Sequence, residues 1–542
     1  MKALKCRLFF VCVALLCLTM LGCSKAETPV EKASREGILL VGNGADPATL
    51  DPTLSSGLVE FKILCGLFEG LVSVDSVTLE VIPAVAENWT ISDDGKKYTF
   101  KINKNARWSD GTNVVADDFV FAWRRALNPM IACEYATLLY PIKNAKKINT
   151  GTEKDFATLG ARAIDAQTLE VELEQATPYF LSMLYHNVFF PLPKKVLEKF
   201  NAVDKRDTRW TRPENMVSNG AFVLKKWSIN NRVSIRKNPY FRAKNRVHLN
   251  GVDFLPITNI NTEDRAFRTG QLHITDSISP ARIDSTARDF PKSLRRDKWL
   301  GTYYYMLNTR KAPLDNPLVR KALSMAIDRK AIINGILKGG QTPALAFVPE
   351  NCGGYPLNNN RVKENILIAK QLLSKAGFPE GKGLGKITIT YNTSEQHKPI
   401  AEAIARMWRE NLGVQAELFN LSWPAYLSAR RNGDFEVCRS SWVADFPAPE
   451  TFLDIFKSDN GLNHSGYSDS KYDALMQLAA TAKNKKDRMA YLSQAEDRLI
   501  DSAVIIPLYF YSKSFLISPK VKGWQANPLD YRNYLDVSIE AD

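Results

Sequence analysis

Residues 386–442 read as strand, helix, strand and strand in close succession, and this stretch constrains the fold most. The run 387–391 (ITITY) is short, apolar and β-branched, which suits a strand. Residues 400–411 carry apolar side chains at helical spacing, and 414–419 and 435–442 return to extended patterning. Strand, helix and strand in that order make a βαβ unit, so the chain belongs among mixed helix–strand proteins.

The rest of the sequence agrees. Residues 38–42 (ILLVG) predict a buried strand ending at glycine, and 97–102 (KYTFKI) alternate as a half-buried strand does. Residues 116–127 predict a helix on Phe119, Val120, Trp123 and Leu127. A hairpin is expected over 220–226 and 232–236, turning at Asn230-Asn231. Asn316-Pro317 predicts a helix start, cap then first turn. Further helices are expected at 364–376 and 487–499, and a buried strand at 505–511.

The first residues read as a targeting segment. Lys2, Lys5 and Arg7 precede the uncharged run 8–21, which is shorter than the roughly 20 residues of a spanning helix. Gly22 then precedes Cys23. This pattern resembles the bacterial lipoprotein signal, whose cysteine receives a lipid, although Met20 stands where leucine is usual. The polar stretch 23–35 is expected to be a linker. Roughly 520 residues remain, too many for one ordinary core, so two or three lobes are expected.

Composition excludes more than it identifies. The net charge is +14, but acids and bases are interspersed without an arginine-rich tract. A generally cationic surface is the reading, and nucleic acid is not an expected partner. Export permits disulfides, but Cys65, Cys133, Cys352 and Cys438 allow several pairings, and sequence does not choose among them. No H-E-x-x-H, G-x-S-x-G or Walker A pattern occurs, and the five histidines are too scattered to hold a metal. No catalytic residue, metal or cofactor is expected, although missing motifs do not exclude catalysis, since catalytic groups often meet only in space.

Residues 430–446 (RRNGDFEVCRSSWVADF) are the most informative for function. An apolar extended run carries Arg439 and ends at Trp442 and Asp445, with Arg430 shortly before it. An ammonium needs an anion where water is excluded, and a carboxylate needs cations. A segment offering both suits a zwitterion such as a peptide.

Several segments together resemble the peptide-binding lipoproteins of ABC importers, of the oligopeptide-binding type. They are LFEGL at 67–71, PAVAENW at 83–89, WSDGTNVVADDFVFAWRRAL at 108–127 and NGAFVLKKWSINNRVSIRKNPYF at 219–241. YYYMLNTRKAPLDNPLVRKALSMAIDR at 303–329, YNTSEQHKPIAEAIARMW at 391–408 and RSSWVADF at 439–446 complete the set. The resemblance implies an α/β, two-lobed periplasmic-binding-protein fold (class II type) with an extra third domain, hinged by two crossing strands. It divides the chain into lobe I (36–68, 195–296 and 497–542), an extra domain (69–194) and a second lobe (297–496).

The resemblance also implies a role for individual residues. Asp445 matches the aspartate holding the ligand's ammonium; capping of the loop before Pro447 is the alternative. Arg439, Arg430 and His397 match cations that receive the peptide carboxylate at different ligand lengths. Ser56 to Leu58 and Ser441 to Val443 match main chain that pairs with an extended ligand. Tyr135, Trp423, Trp442 and Tyr511 match aromatic cleft walls, with core packing the alternative for Trp442 and Tyr511. Ser56 stands where the pattern has glutamate, and Leu58 replaces a smaller residue, so the first ligand pocket is expected to differ. The implied protein is a monomeric, non-catalytic receptor, periplasmic or at the cell surface, tethered through lipidated Cys23. It would hand short peptides to permease subunits. A specialised peptide ligand, such as a cell-wall or glutathione-like peptide, is the first alternative and a peptidase the second.

Overall fold

The computed structural model describes residues 27–540, except 351 and 483. The targeting segment 1–22 and Cys23 therefore lie outside the described residues. Among the described residues, no helix is long and apolar enough to cross a membrane.

Three main sheets organise the chain. The first has the order Ile38–Gly42, Gly251–Leu255, Arg232–Lys237, Phe222–Ser228. Its outer pair is parallel, and the hairpin forms its other side, with Asn230 at φ 56° in the turn. The second is antiparallel: Ala86–Ile91, Lys97–Ile102, Thr168–Glu172, Ala161–Asp165. The third has six strands, in the order Thr342–Pro343, Ile505–Leu516, Leu294–Leu307, Val437–Val443, Lys386–Asn392, Gln415–Leu421. Here the βαβ unit is realised. Lys386–Asn392 and Gln415–Leu421 lie parallel, joined by the helix His397–Leu412.

Leu294–Leu307 and Ile505–Leu516 are long enough to reach both lobes, since strands of this length span roughly 40 Å. They pair antiparallel from Leu294 opposite Leu516 to Met306 opposite Ile505, with an irregularity between Lys298 and Thr302. At one end Ile274 bridges Val41 of the first sheet to Ile517. At the other end the same two strands are central in the six-stranded sheet. They are the two crossing strands of the hinge. The expected strand 505–511 thus continues to Leu516, because its second half is the crossover itself.

The linker expectation is corrected from residue 29 onward. Pro29–Glu36 is a helix with a capping box: Glu31 N–H donates to Thr28 Oγ1 (3.2 Å) and Thr28 N–H to Glu31 Oε2 (2.7 Å). Ala33 packs with Leu40, Ala266 and Leu272, and Ser34 Oγ lies 3.0 Å from His273 Nε2. The expected divisions at 194/195 and 496/497 fall inside the helices Lys194–Lys199 and Lys485–Ser502. In the second, Glu496 is buried and accepts hydrogen bonds from Phe347 and Val348 N–H, which ties the whole helix to the six-stranded lobe. Cys65, Cys133, Cys352 and Cys438 are free and buried.

One buried ion pair joins the segments flanking the second sheet. Arg125, in the helix Ala116–Leu127, donates to both oxygens of Asp51 (3.1 and 2.8 Å), which also accepts from Trp210 Nε1 (3.2 Å). Both side chains are almost wholly inaccessible. Removing one partner strands a buried charge. Asp51→Ala is expected to lower stability by about 3–5 kcal/mol in urea unfolding; a loss below about 1 kcal/mol, as for a surface pair, would contradict this.

Candidate functional site

The strand Val437–Val443 positions the site. On one edge it pairs along its whole length with Leu294–Leu307, placing Arg439 opposite Tyr305, Ser441 opposite Tyr303 and Val443 opposite Gly301. On the other edge Lys386–Asn392 reaches only Val437 and Cys438. Residues 439–443 therefore leave one strand edge unpaired among the described residues. Arg439, Ser441 and Val443 alternate onto one face, as period-2 geometry requires.

A cavity of about 300 Å³ opens against this strand. All twelve residues singled out from the sequence line it. Ser56 and Leu58 come from the start of the helix Leu58–Leu67, Tyr135 from the segment after Ala116–Leu127, and Trp423 and Arg430 from the helix Trp423–Asn432. His397 starts the helix His397–Leu412, Tyr511 lies on a crossing strand, and Arg439, Ser441, Trp442, Val443 and Asp445 come from the central strand and its exit.

Asp445 is held without a cation. Its side chain is 12 % exposed, Thr451 Oγ donates to Oδ2 (3.3 Å), and His186 Nε2 lies 3.7 Å from Oδ1. Burial pushes the His186 imidazole down to about 3, so it is neutral. Burial pushes the Asp445 carboxyl up to about 8, against the lowering effect of hydrogen bonds from Thr451 and Tyr135. No lysine or arginine among the described residues forms an ion pair with it. The loop cap is real as well: Asp445 N–H donates to Thr451 Oγ1 (2.9 Å), and Tyr185 O–H donates to the Asp445 carbonyl.

Arg439 is the opposite case. It is 7 % exposed, stacks over Tyr303 at 4.7 Å, and donates to Tyr511 Oη (3.0 Å) and Asn392 Oδ1 (3.3 Å). Its Nε has no hydrogen-bond partner, and no carboxylate among the described residues is within ion-pair distance. A guanidinium does not lose its charge, so this cation is buried and unneutralised.

His397 lines the cavity beside Arg439. Burial and the neighbouring Arg439 charge hold its imidazole well below the usual range. Without a ligand it is a neutral group 3.3 Å from Tyr303 Oη. Arg430 reaches the cavity with its Nε unpartnered and its guanidinium over Tyr426 at 5.8 Å.

The aromatic residues are wall and core at once. Tyr135 packs against His186 (4.3 Å between rings) and Trp442 (6.1 Å). Trp423 stacks on Tyr426 and donates from Nε1 to Glu60 Oε1 (3.2 Å), joining the two sides of the cleft. Sequence reasoning missed Tyr185 and His186 beside Asp445, and Asn187 and the Lys62–Asp276 pair (2.5 Å) elsewhere in the cavity lining. These come from segments remote from 430–446, and no local pattern marks them.

The family description "bacterial extracellular solute-binding proteins, family 5 Middle" matches residues 80–464. The periplasmic murein peptide-binding protein MppA of Escherichia coli is 36 % identical over 95 % of this chain and 96 % of its own. The periplasmic oligopeptide-binding protein OppA of the same organism is 35 % identical, covering 93 % of each chain. A probable deoxycholate-binding periplasmic protein, YgiS, also of E. coli, is 35 % identical over 95 % of each chain. A structure of the E. coli murein tripeptide-binding protein matches with TM-score 0.88 at 35 % identity, over 93 % of this chain and 98 % of that one. Its unliganded open form matches with TM-score 0.63 at the same identity, over 95 % and 99 %. The lobes here are thus closed on one another. The chain belongs to the bacterial extracellular solute-binding proteins of family 5.

Proposed function

We propose that this protein is the substrate-binding component of an ABC importer and captures short peptides between its lobes for delivery to a permease. The observation that carries this reading is the pair of buried acid and base without ionic partners in one cavity, the Asp445 carboxyl and the Arg439 guanidinium. Leaving a buried charge without a partner costs several kcal/mol. A zwitterion offsets both costs: its ammonium meets Asp445 and its carboxylate meets Arg439, whose planar fork suits bidentate pairing. The unpaired edge at residues 439–443 would take the ligand's main chain as an added strand. Main-chain pairing is blind to side chains, so the site would accept varied sequences. Family 5 proteins bind solutes and are not enzymes, which sets the peptidase alternative aside.

Identity alone does not choose the ligand, since relatives named for peptides and for deoxycholate are equally similar. The charges favour a peptide, because a steroid carboxylate brings no ammonium for Asp445. Ser56 and Leu58 flank the first ligand position and give it a neutral wall. Export, lipidation at Cys23 and a monomeric state complete the proposal and rest on the sequence.

Closure couples this site to protons. With the lobes apart, solvent keeps the Asp445 carboxyl in the ordinary range, about 3.9. Closed and without ligand it is pushed up to about 8. The closed ligand-free form therefore holds an extra proton between those values, so lowering pH favours it and raising pH through about 8 removes that advantage. His186, at about 3, does not titrate in this window. An ammonium ligand keeps the carboxylate ionised and replaces the proton.

Two outcomes are expected. Asp445→Ala and Arg439→Met should each weaken binding of unmodified peptides at least about tenfold by calorimetry while both variants stay folded; unchanged affinity in either would remove that residue from the site. In small-angle scattering, the ligand-free protein should be more compact at pH 5 than at pH 8, and Asp445→Asn should abolish the difference. A pH response that persists in the variant would contradict the assignment to Asp445.

A further inference from the structure

Gly57 lines the cavity at the start of the helix Leu58–Leu67, where its backbone is extended at φ −125° and ψ 151°. Any residue adopts that conformation, so the backbone does not call for glycine. Space does. A Cβ placed on Gly57 would fall 2.8 Å from Trp423 Cζ2 and closer still to Glu60 Oε2. The helix Leu58–Leu67 packs on the strand Phe222–Ser228 of the first sheet, whereas the helix Trp423–Asn432 packs on Lys386–Asn392 of the six-stranded sheet. Trp423 therefore meets Gly57 from the opposite side of the cleft.

Glu60 receives the indole. The carboxylate is buried, and its Oε1 accepts from Ala48 N–H (2.7 Å) on its own side and from Trp423 Nε1 (3.2 Å) across the cleft. Oε2 has no hydrogen-bond partner, so the Trp423 donor matters to a carboxylate that closure removes from water. From Trp423 the contact continues inward. The indole stacks on Tyr426 (5.6 Å between rings), whose hydroxyl donates to the Arg439 carbonyl. The seat of the indole is thus tied to the strand that carries Arg439. We propose that Gly57 and Glu60 are positioning residues for closure: the glycine leaves the space, and the carboxylate makes the hydrogen bond, that together seat Trp423 as a wall of the closed cavity. Opening withdraws the indole, returns Glu60 to water and frees the space beside Gly57. The inference rests on the reading of this protein as a receptor that closes on peptides.

The test is calorimetry with trialanine, together with small-angle scattering of the ligand-free protein. Gly57→Ala should weaken trialanine at least about tenfold, and it should abolish the compaction expected at pH 5. A merely structural role would lower stability and leave that compaction in place. Trp423→Phe shortens the ring and removes the clash, so in that background Gly57→Ala should cost less than about threefold. A tenfold loss that persists there would place the clash on the ligand or within the helix and overturn the inference, as would unchanged binding in Gly57→Ala alone. Glu60→Leu should also weaken trialanine, and Glu60→Gln, which keeps a carbonyl oxygen for both N–H donors, should restore it; equal losses in the two would contradict the hydrogen-bonded seat. If the wild-type protein bound no trialanine, the peptide reading would fall, and scattering would still decide the role of Gly57: compaction unaltered in Gly57→Ala overturns it.

Discussion

Asp445 and Arg439 are kept from water without partners of opposite charge, and the rest of the structure follows from that. Both stand on one strand and its exit, so their spacing is set by backbone and not by flexible side chains. That strand is fastened along one whole edge to a crossing strand, with Arg439 in register with Tyr305 and Val443 with Gly301. The charges are therefore fixed to the hinge element itself. A single rigid lobe would leave the unpaired charges either permanently solvated and weak, or permanently buried and costly. Two lobes on a pair of continuous strands let burial and neutralisation occur together, which is the differential contact a closing motion needs.

Aromatic packing holds the charges in place without neutralising them. Tyr303 carries the Arg439 guanidinium on its face, which places the cation without adding an anion. Tyr135 and His186 pack against each other beside Asp445, and the imidazole is too deeply buried to be a counter-ion. On the proposed function, selectivity would divide between two physical sources. The unpaired strand edge would accept any main chain, while the placement of Asp445, Arg430 and Arg439 would decide which charges are tolerated and where.

Much of the candidate site was legible in the sequence because several cavity-lining residues lie in one contiguous stretch. Residues 430–446 carry Arg430, Arg439, Trp442 and Asp445, and the βαβ pattern before them already implied the sheet that presents them. What was not legible depends on burial or on distant segments. The helix Leu58–Leu67 is apolar on nearly all sides, so no helical stripe marks it. Leu294–Leu307 opens with LRRDK, whose charges hide a strand that becomes fully buried only in its second half. The capping box at Thr28 and Glu31 was readable, but the polar composition around it read as linker. The burial of His397 beside Arg439, which lowers its imidazole in the ligand-free protein, is a property of the tertiary fold and has no sequence signal. Tyr185 and His186 reach Asp445 through the tertiary fold alone.

The central claim is that Asp445 meets a ligand ammonium in a water-excluded cavity. A cycle that changes both partners tests it most directly: one tripeptide, free or N-acetylated, measured by calorimetry against the wild-type protein and Asp445→Asn. The account requires the two changes to be strongly non-additive, with acetylation costing at least about tenfold in the wild-type protein and little in the variant. Additive losses, or an acetylated peptide that binds the wild-type protein as well as the free one, would contradict it.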